Sequence, residues 1–307
     1  MALRVWLKAS QAQSFIVSVI PVLVGAAVAA HVGIALSVPL LLLALAGVLA
    51  IHAATNMSND YIDYKTGVDN QPPEIISPFT AGSRVLPEKL VTPEAHKRVW
   101  LSLYGLGAAV GLALSYLVPD GWVILLLGVS MGGLSLFYTY PPFKLQYHGL
   151  GELLVAVIFG PVLVFGSFYV QAHRFSWEPI LVSIPFGLFV SAFLLVNEMP
   201  EWKSDPKGGK ITVPARAGLK RSMQIYAGMM AAGYAWMALL PLLRVVPLPT
   251  LLGLVSLPLG AKAIGILGKS YDRFPEHIGA NAGTLQAVLV SGVALVVGYA
   301  LAIFFPM

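Results

Sequence analysis

The sequence has no cysteine and few charged residues, and each scarcity excludes a class of protein. Without cysteine, the 307-residue chain cannot form disulfides, bind metals through thiolates or use a cysteine nucleophile. Only 11% of the residues are charged and 57% are hydrophobic, against roughly 25% and 45–50% in ordinary soluble domains. So few charges cannot cover a water-facing surface. The composition therefore indicates a polytopic membrane protein, and the lack of alternating strand patterns argues against a barrel.

Apolar stretches of about 20 residues, enough for a helix to cross the ~30 Å hydrocarbon core, recur along the whole chain. They predict an all-α fold, a single integral membrane domain over residues 1–307 with nine transmembrane helices. The first stretch follows Arg4 and Lys8 as a signal peptide would, but its length favours a retained helix. The predicted spans are 12–31, 34–57, 97–118, 121–139, 150–171, 178–199, 220–242, 246–267 and 281–304.

Lysine and arginine are distributed unequally between the predicted loops. With the N-terminus in the cytoplasm, 17 of the 19 basic residues are cytoplasmic, and only Arg174 and Arg244 lie outside. This pattern is typical of a multi-pass cell-membrane protein, so the net charge of +5 does not indicate nucleic-acid binding. Twelve of the 14 acidic residues and both long loops, residues 64–96 and 200–219, are also cytoplasmic. We expect a cytoplasmic active site capped by these two loops.

Two acidic motifs with the same spacing end the second and sixth predicted helices. Both follow the pattern N-[DE]-x-x-[DE], at residues 59–63 and 197–201, and each continues to a further aspartate, Asp69 or Asp205. Because residues i and i+4 share a helix face, Asn59 should point the same way as Asp63. The same phase groups Asn197, Glu201 and Asp205, and it turns Asp60 and Glu198 about 100° away. Pro200 lies inside the second motif, where proline kinks or ends a helix.

The ligand chemistry of these motifs favours a hard divalent cation. Carboxylate and amide oxygens without cysteine or histidine select Mg²⁺, Ca²⁺ or Mn²⁺ over zinc or copper. Mg²⁺ usually takes one or two carboxylates together with substrate phosphates. Solvated acids at helix ends would explain one such cluster, but two matched copies on the same side favour a clamp on a pyrophosphate through Mg²⁺.

Three segments carry a distinctive pattern: N-D-Y-x-D-x-x-x-G-x-D at 59–69, the run Y-T-Y-P-P-F-K at 138–144 continuing to G-L-G-E at 149–152 and F-G-P at 159–161, and N-A-G-T at 281–284. They resemble the UbiA superfamily of membrane prenyltransferases, and especially its MenA branch, which joins a polyprenyl chain to 1,4-dihydroxy-2-naphthoate. The chain departs from the family in having Glu201 for the usual aspartate, Pro200 for a frequent arginine, and Gln11-Ala12 for Arg-Pro.

The resemblance implies Mg²⁺-dependent transfer of a polyprenyl chain from an allylic diphosphate, such as geranylgeranyl diphosphate, to a small aromatic acceptor. It implies catalytic carboxylates at Asp63, Asp69, Glu201 and Asp205, which together with Asn59 and Asn197 would bind Mg²⁺. It also implies diphosphate contacts from Arg84, Tyr138, Lys144, Lys207 and Lys210.

Other functions stay open at this point. The same chemistry could act on 4-hydroxybenzoate, a tocopherol-type precursor or geranylgeranylglyceryl phosphate. A cation-coupled transporter is disfavoured because transporters place ionisable residues near the bilayer midplane, whereas these acids end helices on one face. A scaffold would not need two matched acidic motifs. The six histidines lack ligand spacing, and we expect His52, inside the second helix, to be a hydrogen-bonded core residue.

Overall fold

The computed structural model describes residues 2–70, 74–75 and 77–304, and the regular structure within these ranges is helical. Long helices pack side by side as a bundle. The α-helices are α1 (Ala2–Ala9), α2 (Ile16–His31), α3 (Val38–Thr66), α4 (Pro93–Leu117), α5 (Trp122–Leu136), α6 (Gly151–Val157), α7 (Leu163–Ala172), α8 (Glu178–Glu198), α9 (Val213–Ala217), α10 (Leu219–Leu242), α11 (Leu257–Ser270) and α12 (Phe274–Phe304).

Within the described residues, eight continuous helical segments are long and apolar enough to cross a membrane, where the sequence predicts nine. The difference is α5, which has only 15 residues and is the shorter apolar helix that matches the predicted span 121–139. Four of the eight are composite. The segments Ala12–His31 and Glu178–Glu201 each include a short 3-10 turn beside α2 or α8. A π-helical segment, Ile158–Val162, joins α6 to α7, and a 3-10 helix, Leu248–Ser256, precedes α11. The all-α membrane bundle is confirmed.

Helix α3 is longer than predicted, and its extra turns carry the first acidic motif. It begins after Ser37, whose hydroxyl accepts from the Leu40 amide, and it continues to Thr66 rather than ending near residue 57. Gly67 ends it with φ of 83°, a left-handed conformation that glycine adopts without strain. Asn59 and Asp63 therefore lie on regular helix, and the loop after them begins at residue 67 rather than 64.

Helix α8 runs through the centre of the bundle and contributes Phe186 and Phe189 to the buried core. It approaches α6 closely, because a β-carbon at Gly187 would lie 2.4 Å from the Ala156 carbonyl oxygen. At its other end the α-helix stops at Glu198, and Met199–Glu201 form a 3-10 turn. Pro200 lacks the amide hydrogen that would continue the helix, so the predicted break occurs within the second acidic motif.

Two connecting segments meet at the end of the bundle that carries both acidic motifs, here called the acidic face. They are residues 67–92, of which 71–73 and 76 lie outside the described residues, and residues 199–218. The Glu74 amide donates to the Pro200 carbonyl over 3.1 Å, and the Lys203 ammonium lies 2.9 Å from a Glu74 carboxylate oxygen. These contacts bring together the two loops that the sequence predicts as a cap.

Candidate active site

A cavity of about 200 Å³ opens at the acidic face between α2, α3, α8 and the two connecting segments. It gathers both acidic motifs, and nine of the eleven site residues that the sequence predicts line it. Its polar lining includes Asn59, Asp60, Asp63, Asp69, Arg84, Tyr138, Asn197, Glu198, Glu201, Asp205 and Lys210.

Lys210 lies between the two motifs. Its Nζ is 3.0 Å from Asp63 Oδ2 and 3.9 Å from Asp205 Oδ2, and only 4% of its side chain is exposed. Burial alone would lower the pKa of Lys210, but the carboxylates of Asp205, Asp63 and Glu201 raise it well above its ordinary value. Lys210 is therefore held as a cation that joins carboxylates from opposite walls of the cavity.

Asp63 also accepts a hydrogen bond from Tyr147, a residue that no sequence pattern indicates. The Tyr147 hydroxyl donates to Asp63 Oδ1 over 2.6 Å and lies 2.9 Å from the Thr66 hydroxyl. Burial raises the pKa of Tyr147 well above its ordinary value, which keeps the phenol protonated as a donor. Tyr147 follows the predicted Tyr138–Lys144 run by three residues, but nothing in its spacing connects it with Asp63.

The turn after α3 brings Asp69 and Arg84 into the cavity together. One guanidinium nitrogen of Arg84 donates to the Asp69 carbonyl oxygen over 3.0 Å, and Arg84 Nε has no hydrogen-bond partner among the described residues. Burial, and after it the neighbouring charge of Asp63, raises the pKa of the Asp69 carboxyl to about 8. An anion in the cavity could therefore accept from Arg84, and a cation would stabilise the ionised form of Asp69.

In the second motif some side-chain oxygens accept hydrogen bonds from the protein and one has no partner among the described residues. Asn281, from the N-A-G-T segment on α12, donates to Asn197 Oδ1, and the Ala81 amide donates to Glu201 Oε1. Asp205 Oδ2 has no hydrogen-bond partner among the described residues. Burial raises the pKa of Asp205 to about 8, although the charge of Lys210 opposes this shift. Asp205 is thus a buried carboxylate with an oxygen available to a ligand.

Asp60 and Glu198 also line the cavity, although helical phase predicted that they turn away. The cavity spans more than one helix face because the segment before α4 and the residues after α5 complete its wall. Asp60 accepts from Gln11 Nε2 over 3.2 Å and from the Ser83 amide over 3.1 Å. Glu198 Oε1 accepts from Gln146 Nε2 over 2.8 Å. Donors from distant segments therefore hold both carboxylates at the cavity.

Lys144 and Lys207 are the two predicted site residues that do not line the cavity. The Lys144 ammonium lies over the Tyr147 ring, 4.7 Å from its centroid, and Lys207 is exposed on the turn after Asp205. Tyr138 does line the cavity, and burial, followed by the charge of Glu198, raises the pKa of its phenol well above the ordinary value. A basic loop residue close to a motif in sequence need not reach the motif in space.

A second, apolar cavity of about 540 Å³ lies deeper, between α3, α4, α5 and α7. It shares Ile51 and Met131 with the first cavity, so the two meet at these side chains. Leu112 and Val129, which are largely exposed on the outside of the bundle, also line it. An apolar space therefore extends from beside the acidic cavity to the lipid-facing surface.

The charge balance of the polar cavity suits a divalent cation bound together with an anion. Its lining has two basic residues, Arg84 and Lys210, against six carboxyl groups, those of Asp60, Asp63, Asp69, Glu198, Glu201 and Asp205. Among the described residues, no three acidic or histidine side chains are close enough to hold a metal alone. Mg²⁺ typically takes one or two carboxylates and completes its shell with phosphate oxygens and water.

Comparisons with known proteins place the chain in a family. The sequence profile of the UbiA prenyltransferase family matches residues 18–273. The chain belongs to this family. It is therefore a multi-pass membrane prenyltransferase. A UbiA homologue from Archaeoglobus fulgidus bound to DMAPP and Mg²⁺ shares the fold, with a TM-score of 0.65, 15% identity, and coverage of 98% of this chain and 99% of that chain.

Several curated UbiA-family relatives act on naphthoate-type acceptors. A 2-carboxy-1,4-naphthoquinone phytyltransferase of Synechocystis is 30% identical over 96% of this chain and 93% of its own length. A 1,4-dihydroxy-2-naphthoate octaprenyltransferase of Mycobacterium tuberculosis is 32% identical over 73% of each chain. The resemblance to MenA-type enzymes in the three sequence segments is therefore confirmed.

Proposed function

We propose that this prenyltransferase uses Mg²⁺ to transfer a polyprenyl chain from an allylic diphosphate to a small aromatic acceptor, 1,4-dihydroxy-2-naphthoate. The observation that carries the proposal is the junction of the two cavities. An acidic cavity with six carboxyl groups and two basic groups meets an apolar cavity that reaches the lipid-facing surface. A prenyl diphosphate has the same two-part character, because a charged head joins a long hydrocarbon tail.

The carboxylates would be the metal ligands. Asp63, Asp69, Glu201 and Asp205, with Asn59 and Asn197, supply the hard oxygens that Mg²⁺ prefers, and the free Asp205 Oδ2 is one such donor. When bound with the diphosphate, Mg²⁺ would supply Lewis-acid stabilisation of the negative charge on the leaving group. Six carboxyl groups would otherwise repel a diphosphate, so the excess of acid over base is the physical reason for the metal.

The basic and aromatic residues would act on the diphosphate and the allylic group. Lys210 and Arg84 would donate to diphosphate oxygens as the allylic C–O bond breaks, with Tyr138 as a further donor. The rings of Phe79 and Phe193 line the cavity with their centroids 5.9 Å apart, and aromatic faces stabilise a cation. The ring carbon of the acceptor would then bond to the allylic carbon, and the ring would lose a proton or its carboxyl group.

The cap and the orientation are part of the proposal. Phe79 and Ala81 bring the segment before α4 over the cavity, and Glu74 links that segment to Pro200 and Lys203. Such a cover would keep water from the allylic cation. The positive-inside distribution supports a cytoplasmic acidic face, where soluble diphosphates and acceptors are available, and the cell membrane would be the location.

A competition experiment tests the acceptor. Purified protein receives Mg²⁺, labelled geranylgeranyl diphosphate, 1,4-dihydroxy-2-naphthoate and geranylgeranylglyceryl phosphate together. The expected product is the labelled naphthoate derivative, because the described part of the cavity lining offers only Arg84 and Lys210 as lysine or arginine side chains for a second phosphate. Exclusive labelling of the glyceryl lipid would refute the aromatic acceptor while leaving prenyl transfer intact.

A further inference from the structure

A group of uncharged polar side chains lines the acidic cavity on the turns of α3 that precede the first acidic motif and on the facing segment before and within α2. The group consists of His52 and Asn56 from α3, Ser14 from the 3-10 turn before α2, and Ser18 from α2. His52 precedes Asn59 by seven residues, which is about 10 Å along a helix axis. A prenyl tail has no hydrogen-bonding atoms, so polar groups here would gain nothing from contact with it.

The hydrogen bonds in this group fix the proton on the His52 ring. The Ser14 hydroxyl donates to the Gln11 carbonyl over 2.8 Å, so its oxygen is left to accept from His52 Nε2 at 3.3 Å. His52 Nδ1 is then an acceptor, and the Ser18 hydroxyl donates to it over 2.7 Å. The network therefore favours the tautomer that carries its hydrogen on Nε2.

Two N–H donors converge on the Ser14 oxygen over long distances. Ser14 Oγ is 3.3 Å from His52 Nε2 and 3.3 Å from Asn56 Nδ2. Both distances exceed the ~2.9–3.0 Å of an ordinary N–H to oxygen bond. Asn56 Nδ2 is also anchored by the Ser10 carbonyl at 3.0 Å, and the Phe15 and Phe159 rings each lie 5.3 Å from the His52 ring. The donors are thus fixed, and their acceptor is poorly placed.

We propose that His52 Nε2 and Asn56 Nδ2 bind an oxygen of the aromatic acceptor, either a ring hydroxyl or the carboxylate. The inference rests on the proposed function and names the acceptor contacts within the same cavity. A ligand oxygen between the two N–H groups replaces their long contacts with Ser14. Phe159, which lines the cavity beside His52, provides an apolar wall for an aromatic ring. Ser14 and Ser18 act as positioning residues that hold the tautomer.

The test separates acceptor binding from diphosphate binding. His52→Phe, His52→Gln and Ser18→Ala are compared with wild type for the KM of naphthoate and of prenyl diphosphate. We expect His52→Phe to raise the naphthoate KM roughly tenfold, because about one hydrogen bond to the acceptor is lost. The KM of the prenyl diphosphate should stay unchanged. His52→Gln, which keeps an N–H donor, should recover part of the loss. Ser58→Ala, a buried hydroxyl on α3 outside the cavity lining, is the matched control.

Direct binding provides a second readout that needs no turnover. Titration calorimetry with naphthoate alone, on detergent-purified protein, should show weaker binding to His52→Phe than to wild type or Ser58→Ala. Comparing 1,4-dihydroxynaphthalene with the carboxylated acceptor tells which oxygen is bound. If His52 binds the carboxylate, His52→Phe weakens only naphthoate binding, and if it binds a ring hydroxyl, the variant weakens the binding of both ligands. Equal naphthoate affinity in wild type and His52→Phe would overturn the inference. Absence of transfer to any aromatic acceptor by wild type would instead overturn the proposed function, and this inference with it.

Discussion

At the scale of single residues, substitutions at Asp63 and Asp205 test the site most directly, because each carboxylate approaches Lys210 from a different motif. We predict that Asp63→Asn and Asp205→Asn each lower the transfer rate by ~10²-fold or more, since a lost metal ligand removes charge stabilisation from the transition state. Initial rates with saturating substrates and matched protein levels measure this. Glu94→Gln, an exposed acid at the start of α4, is the control and should keep its rate. Normal turnover in Asp63→Asn would contradict the metal-ligand role.

Asp60 lines the same cavity but differs in its hydrogen bonds. Both of its carboxylate oxygens accept from the protein, one from Gln11 and one from the Ser83 amide. Asp60→Asn keeps one acceptor oxygen and replaces the other with an amide nitrogen that cannot accept. Because about one hydrogen bond is lost, we predict that the transfer rate falls about tenfold. Kinetics of Asp60→Asn and Asp63→Asn measured side by side decide the order. A larger loss in Asp60→Asn would show that Asp60 is itself a metal ligand.

The residues that the sequence could predict are those whose position follows from a repeated motif. Both acidic motifs face one cavity because the same spacing recurs at two helix ends. The sequence does not distinguish the basic site residues from other loop lysines, since positive-inside bias puts Lys144, Lys207 and Lys210 on the same side as both motifs. Only the structure shows that Lys210 is the buried one among them. Tyr147 and Gln11 contact carboxylates across long sequence separations, and no local pattern reports such contacts.

At the scale of helices, hydropathy predicts the spans but not where the polar ends stop. The first motif lies on α3 because α3 continues to Thr66, beyond the last apolar turn. Helical phase alone predicts that Asp60 and Glu198 turn away from the site, yet both line the cavity because its wall comes from several elements. Phase describes one helix, whereas a cavity is defined by all the helices that enclose it.

The contact between α8 and α6 makes a prediction about packing. A β-carbon at Gly187 would lie 2.4 Å from the Ala156 carbonyl oxygen, which is backbone and cannot move aside cheaply. Gly187→Ala should therefore destabilise the folded protein by about 1–3 kcal/mol. Thermal melting in detergent measures this. Gly228→Ala on α10, with nothing within 4 Å of its added carbon, is the matched control and should melt no lower than wild type.

At the scale of the whole molecule, the charge distribution predicts which end faces the cytoplasm. Because the chain has no cysteine, single cysteines at Asp120 and Glu94, both exposed and in different connections, give clean labelling sites. In intact cells a membrane-impermeant thiol reagent should label Asp120→Cys, and Glu94→Cys should react only after the membrane is opened. Labelling of both from outside would contradict the positive-inside orientation and the cytoplasmic active site.

The central claim is that carboxylates from two motifs, through Mg²⁺, drive prenyl transfer to an aromatic ring. The most direct measurement is product formation by wild type and Asp63→Asn in proteoliposomes, with labelled geranylgeranyl diphosphate and 1,4-dihydroxy-2-naphthoate, titrated with Mg²⁺ after chelator treatment. We expect a prenylated naphthoate product that rises from background with Mg²⁺ in wild type and stays near background in Asp63→Asn. Full product formation in the presence of excess chelator, or equal rates in the two proteins, would contradict it.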